Sequence, residues 1–259
     1  MRTFRIAGIA TLLGLGISGC LRASVLLVVP GTANIFSAGQ STAGGGGTLP
    51  PELDFLPVAG NVLTFTGPGI PSGAAVTGTV SPCPACGFVG PDGANLGSQP
   101  PATNINSAGT NLSPIQFTGD EMFLIGVFLA GAPGSGTGLS SPVSSIGDYG
   151  APGSGITSTQ TSYSPLLGQT FFIGDGLTGN ETGALQQFIV PVGATRLFFG
   201  FADALNFVGQ AGMYGDNAGS LNVNFQIEPN GSGVPEPGTI ALFALGLAGL
   251  TLCRKKTAA

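Results

Sequence analysis

Apolar and polar positions alternate most cleanly near the end of the chain's body. There, Ser220-Leu221-Asn222-Val223-Asn224-Phe225-Gln226-Ile227 puts Leu221, Val223, Phe225 and Ile227 on one side. A period of two is the pattern of a strand with one buried face. Val62-Leu63-Thr64-Phe65-Thr66 and the stretch from Ala75 to Val80 alternate in the same way. Met122 to Leu129 is instead an unbroken apolar run, as expected of a strand covered on both faces. Thr170-Phe171-Phe172-Ile173, Gln187-Phe188-Ile189-Val190 and Arg196-Leu197-Phe198-Phe199-Gly200-Phe201 are three further short strands. No part of the body carries a 3.6-residue period. Short strands separated by Gly-, Pro-, Ser- and Asn-rich links predict an all-β fold, an antiparallel β-sandwich spanning residues 52–228. Residues 24–51, which include Gly44-Gly45-Gly46-Gly47, read as a flexible lead-in. Residues 132–168 read as a long loop, poor in apolar positions.

The two ends follow other rules. Arg2 and Arg5 precede an apolar stretch from Ile6 to Ile17, and the small residues Ser18-Gly19-Cys20 follow. That order predicts a signal helix and a signal peptide over residues 1–23. Two cleavage readings stay open: ordinary cleavage near Ala23, or cleavage at Ile17-Ser18-Gly19-Cys20, which looks like a lipobox and would leave lipid on Cys20. At the other end, Val234-Pro235-Glu236-Pro237-Gly238 precedes an uncharged run from Thr239 to Cys253, closed by Arg254-Lys255-Lys256. The run is slightly short of the ~20 residues of an ordinary spanning helix. The cations after it should stay cytoplasmic, which puts the body outside. The tail is thus residues 229–259, with a transmembrane helix at 238–253.

Composition narrows the chemistry. The chain has 46 Gly, 20 Pro, no His and no Trp, and only 7% of its residues are charged. A typical domain is ~25% charged. Without histidine, Ser-His-Asp and Cys-His catalysis and histidine metal sites are excluded. Besides Arg2, Arg5, Arg254, Lys255 and Lys256, the cations are Arg22 and Arg196. They cannot form the basic surface that nucleic acid requires. Cys83-Pro84-Ala85-Cys86 reads as a small-loop disulfide in an oxidising compartment. The carboxylates single out no catalytic pair, so the body is expected not to be an enzyme.

The terminal pattern of Val234-Pro235-Glu236-Pro237, apolar span and basic end resembles the PEP-CTERM sorting signal of bacteria that use an exosortase. That resemblance implies recognition of the motif by a membrane exosortase, then removal or exchange of the tail. The body would be exported, transiently anchored, and delivered to the cell envelope, the cell surface or the surroundings.

One loop stands out in the body. Asp203 ends a strand, and Gly212-Met213-Tyr214-Gly215-Asp216-Asn217-Ala218-Gly219-Ser220 leads into the last one. Asp, Asn and loop carbonyls are the hard oxygen ligands that calcium prefers. The same residues would equally serve a β-turn whose side chains bond their own backbone. The body also resembles, in broken pieces over 55–228, the galactose-binding-like, jelly-roll-type β-sandwich of bacterial galactose-specific soluble lectins. The matching residues are Phe171-Phe172-Ile173-Gly174, Val190-Pro191, Arg196 to Asp203, Tyr214 to Val223 and, more weakly, Val89-Gly90-Pro91-Asp92-Gly93. The resemblance implies calcium held by Asp203, Asp216 and Asn217, and a glycan contacted by Asp203, Tyr214, Asp216 and Asn217. Tyr214 or Phe207 would pack beside the sugar. The sequence departs from that family in three ways: it lacks the sugar-contacting histidine, it lengthens the 203–216 loop, and it inserts residues 132–168. The expected function is a non-enzymatic surface or matrix protein in extracellular polysaccharide, with calcium-assisted glycan binding. The rivals are a purely structural matrix protein and a carbohydrate-active enzyme.

Overall fold

The computed structural model describes residues 24–55, 60–66, 70, 74–97, 102–106, 110, 112–131, 160–179 and 182–229. The signal helix expected at 1–23 and the spanning helix expected at 238–253 lie outside these residues. Among the described residues, no helix is long and apolar enough to cross a membrane. The described chain is mostly strand, in several sheets, with no closed barrel and only three-residue 3-10 turns as helix.

The clearest alternation in the sequence becomes the longest strand, β15 (Ala218–Glu228). Leu221, Val223 and Phe225 are fully buried, while Asn222 faces out. Strand β1 (Val25–Pro30) pairs along one side of β15, and β4 (Val76–Ser81) and β3 (Val62–Thr64) pair along the other. Strands β12 (Gln187–Ile189) and β8 (Ser162–Tyr163) extend this sheet beyond β3. A second sheet runs β2 (Glu52–Asp54), β13 (Arg196–Gly200), β7 (Ile125–Leu129) and β9 (Thr170–Phe172). A third sheet runs β14 (Val208–Gln210), β5 (Ala102–Asn106) and β6 (Ile115–Thr118), and β10 (Leu177–Gly179) pairs with β11 (Thr182–Leu185).

Phenylalanines join the first two sheets. Phe199 of β13 meets Phe225 of β15 at 5.0 Å between ring centroids, and Phe171 of β9 meets Phe188 of β12 at 5.1 Å. Phe65, just after β3, touches Phe188 edge-on at 5.7 Å and Phe199 at 6.0 Å. Edge-to-face and offset contacts of this kind each add about 1 kcal/mol beyond the area they bury. The unbroken apolar run is explained by β7, which lies between β13 and β9 with all five residues buried.

Two sequence expectations need correcting. Residues 24–51 are not a lead-in outside the domain. They supply β1, and a 3-10 turn at Ile35–Ser37 whose three residues are buried. The residues around that turn bond to the end of β13: Ile35 N–H donates to Phe201 O and Phe201 N–H to Ala33 O. The glycine tract is packed as well. A Cβ on Gly47 would lie 2.8 Å from Thr32 O and 2.9 Å from Tyr214 Cβ, and one on Gly46 would lie 3.0 Å from Gly215 Cα. Glycine is needed there for close backbone approach, not for slack. Second, the pairing is not wholly antiparallel. β8 lies parallel to β12 and β5 parallel to β14. Both pairs join strands that are distant in the chain, so no hairpin forces them to be antiparallel. The long loop expected over 132–168 is described only from residue 160. That portion includes β8 and the buried Tyr163; residues 132–159 lie outside the description.

Arg196 is fully buried on the other face of β13, where its guanidinium lies beside Gly39 of the N-terminal segment. Its Nη2 donates to Ala130 O at 2.8 Å, Glu52 approaches its Nη1 at 3.6 Å, and the guanidinium lies 5.5 Å from the centre of the Phe198 ring. Burial pushes the Glu52 carboxyl above its usual range, and Arg196 offsets part of that rise.

Candidate functional site

The expected site residues sit where β13 leaves the core and β15 begins. After Gly200 the chain passes through Phe201 and Asp203 into a turn at Leu205–Phe207, where Asn206 and Phe207 have φ of 54° and 56°. It returns through β14 and a second turn at Tyr214–Asp216. Gly212 N–H donates to Asp203 O at 3.0 Å and so closes the loop at its neck.

Asp203 and Asn217 come together inside the protein, with 2% and 8% of their surface exposed. Asn217 Nδ2 donates to Gly31 O at 2.9 Å, which ties the loop to the end of β1. Asp203 Oδ2 and Asn217 Oδ1 are both buried without a hydrogen-bond partner among the described residues. Desolvation pushes the Asp203 carboxyl up to about 7. Hydrogen bonds from the Asn217 side chain and the Ala204 backbone offset part of the rise, and the Asp216 charge adds to it. Asp216 itself is exposed.

The aromatic residues expected beside a sugar face inward. Tyr214 is wholly buried, and Phe207 is 8% exposed. Tyr214 Oη donates to Phe201 O at 3.3 Å and accepts from Asp203 N–H at 3.1 Å, and its own N–H donates to Gly45 O. Burial holds its phenol well above the usual range. Tyr214 therefore acts as a strut beneath the loop and has no ring face to offer a ligand. The exposed apolar side chains nearby are Leu205, Val208 and Met213. No group of three or more His, Cys, Asp or Glu residues is placed to hold a metal ion among the described residues.

A second acidic locus emerges that the sequence did not single out. A cleft of about 110 Å³ is lined by Asp92, Asp120, Phe117 and Phe172 among others. Phe117 and Phe172 stack at 4.9 Å. Asp92 Oδ1 accepts from Asp175 N–H at 3.0 Å, and Asp175 Oδ1 accepts from Leu177 N–H at 2.8 Å. Nearby, Glu121 Oε2 accepts from Leu96 N–H, and burial pushes the Asp120 carboxyl up. The Asp92, Asp175 and Glu121 carboxylates cap backbone donors. The turn sequence Pro91-Asp92-Gly93 was the only local signal for it. Cys83 and Cys86 are joined by a disulfide in the loop that follows β4.

No curated protein and no solved structure matches the chain. A family model does match its tail. Residues 233–256 are a PEP-CTERM protein-sorting motif, containing Val234, Pro235, Glu236 and Pro237, beyond the described residues. The chain is an exported protein that is held in the membrane by its C-terminal segment before an exosortase processes it, and whose body is an all-β domain.

Proposed function

We propose that this chain is an exosortase-sorted protein of the cell surface or extracellular matrix, with a non-enzymatic body of the galactose-binding-like β-sandwich type. The observation that carries the reading is the sorting motif itself, which begins a few residues after β15 ends at Glu228. The test is replacement of Pro235, Glu236 and Pro237 by alanine in a host that carries an exosortase. Uncut precursor should accumulate in the membrane fraction. Processing at the normal rate would sink the reading.

Partnership with extracellular polysaccharide, assisted by calcium, is the finer part of the proposal. Its support is the pair of buried, unpartnered oxygens on Asp203 and Asn217. Hard carboxylate and amide oxygens suit calcium, and Asp216 stands on the same loop. Tyr214 is withdrawn from the glycan role, because its ring is sealed inside. Leu205 and Met213 are the side chains left to border a sugar. The purely structural alternative predicts identical melting with calcium and with chelator. The carbohydrate-active enzyme alternative draws on Asp92 and Asp120 sharing one cleft. Two features favour the non-enzymatic reading. The cleft is far smaller than the ~300–1,000 Å³ of usual ligand sites. Asp92 is also engaged with the Asp175 backbone.

A further inference from the structure

The sheet register brings both ends of the described chain to one end of the domain. β15 runs from Ala218 to Glu228, and the chain leaves it toward the sorting motif. Val25, the first residue of β1, pairs with Phe225, so the N-terminal segment also arrives at this end. Ile189 pairs with Val62, and Val62 with Glu228. The turn from Pro191 to Ala194 therefore lies at the same end, as does the Leu166–Gln169 turn, whose Gly168 donates to Phe128 O. This base exposes Val192 by 79% and Leu166 by 49%. The opposite end holds Ser81 paired with Ala218, the Cys83–Cys86 loop, Phe88 and the Asp203–Asn217 pair.

The geometry points to a membrane-facing base: until the tail is cut, the Val192 and Leu166 turns rest on the lipid headgroup surface, and the Asp203–Asn217 end points away from it. This inference rests on the anchored stage of the proposed function. Residues 229–237 reach at most about 30 Å when fully extended. β15 alone is about 35 Å long at ~3.4 Å per residue. For the domain to invert, the tether would have to span that length and then the several ångströms of headgroups beyond it. It is too short. Were Cys20 to keep a lipid, the second tether would hold the same end, because β1 starts at Val25. The contact is a positional one. Asp54 and Glu228 at the base give no attraction to anionic headgroups, so the occupant is a neutral zwitterionic surface.

The chain has no tryptophan, so a single introduced indole is an unambiguous reporter. Full-length Val192→Trp, Leu166→Trp and Phe88→Trp would each be reconstituted in phosphatidylcholine vesicles containing a headgroup-nitroxide phosphatidylcholine. All three positions are exposed, so the substitutions leave the core intact. Val192→Trp and Leu166→Trp should lose most of their emission, and Phe88→Trp should keep it. Equal quenching at all three, or stronger quenching at position 88, overturns the orientation while leaving anchorage intact if the protein floats with the vesicles. A protein that does not float overturns the anchored stage and the orientation together.

Discussion

The two acidic loci use the same side chain in opposite ways. Around the cleft, Asp92, Asp175 and Glu121 each accept a backbone N–H, so their carboxylates complete turns. At the 203–217 loop, Asp203 Oδ2 and Asn217 Oδ1 are buried without a hydrogen-bond partner among the described residues, and the bonds Asp203 does receive from the Asn217 side chain and the Ala204 backbone offset only part of its desolvation. At Asp203 desolvation outweighs the hydrogen bonds and favours the neutral form of the carboxyl. In a chain with so few charges, the difference separates acids that hold the fold from one with spare capacity for a proton or a cation.

Four experiments would break or sharpen that contrast. The largest effect should be the pH dependence due to Asp203. Its folded value of about 7 lies above its ordinary 3.8, so the native state holds the proton more tightly than the unfolded chain. The stability it contributes is complete below about pH 4 and is lost as pH rises to about 7, on the order of 4 kcal/mol. Urea unfolding from pH 4 to pH 8 should show that fall, and Asp203→Asn should flatten it. A wild-type profile that stays level over this range would equate the two loci. Calcium should come next. At ~100 times its dissociation constant it would add about 2.7 kcal/mol at pH 8, and much less at pH 5, where Asp203 is protonated. Equal melting temperatures in calcium and in chelator would remove the ion. Asp175→Ala should cost about 2 kcal/mol at every pH above 5, because it leaves the Leu177 N–H buried without an acceptor. Asp92→Ala should cost about 1 kcal/mol, because it removes the acceptor of the Asp175 N–H. A pH-dependent loss in either variant would mean that the cleft carboxyls are not simple turn caps.

The sequence exposed some of this and hid the rest for physical reasons. β15, β3, β4, β7, β9, β12 and β13 all fall on stretches where alternation or an apolar run was plain, because side-chain burial writes itself into such patterns. β1 was hidden because Val25 to Val29 continues the apolar character of the segment before it, although Leu26 and Val28 face out while Val29 is buried. β5 and β6 were hidden by their Thr, Asn and Gln content, since pairing between distant backbones leaves no periodic mark. The meeting of Asp203 with Asn217 was legible because one loop carries both. The burial of Tyr214 was not, because it depends on glycines about 170 positions upstream in the chain, among them Gly45 and Gly47.

The β1–β15 register has a practical consequence for anyone dividing the polypeptide. A fragment that starts at residue 52, where composition suggests that order begins, would discard β1 and leave the flank of β15 from Ser220 to Phe225 open to solvent. Bare strand flanks recruit other chains. Such a fragment should therefore self-associate or precipitate on expression, whereas one spanning residues 24–229 should remain monodisperse in size-exclusion chromatography.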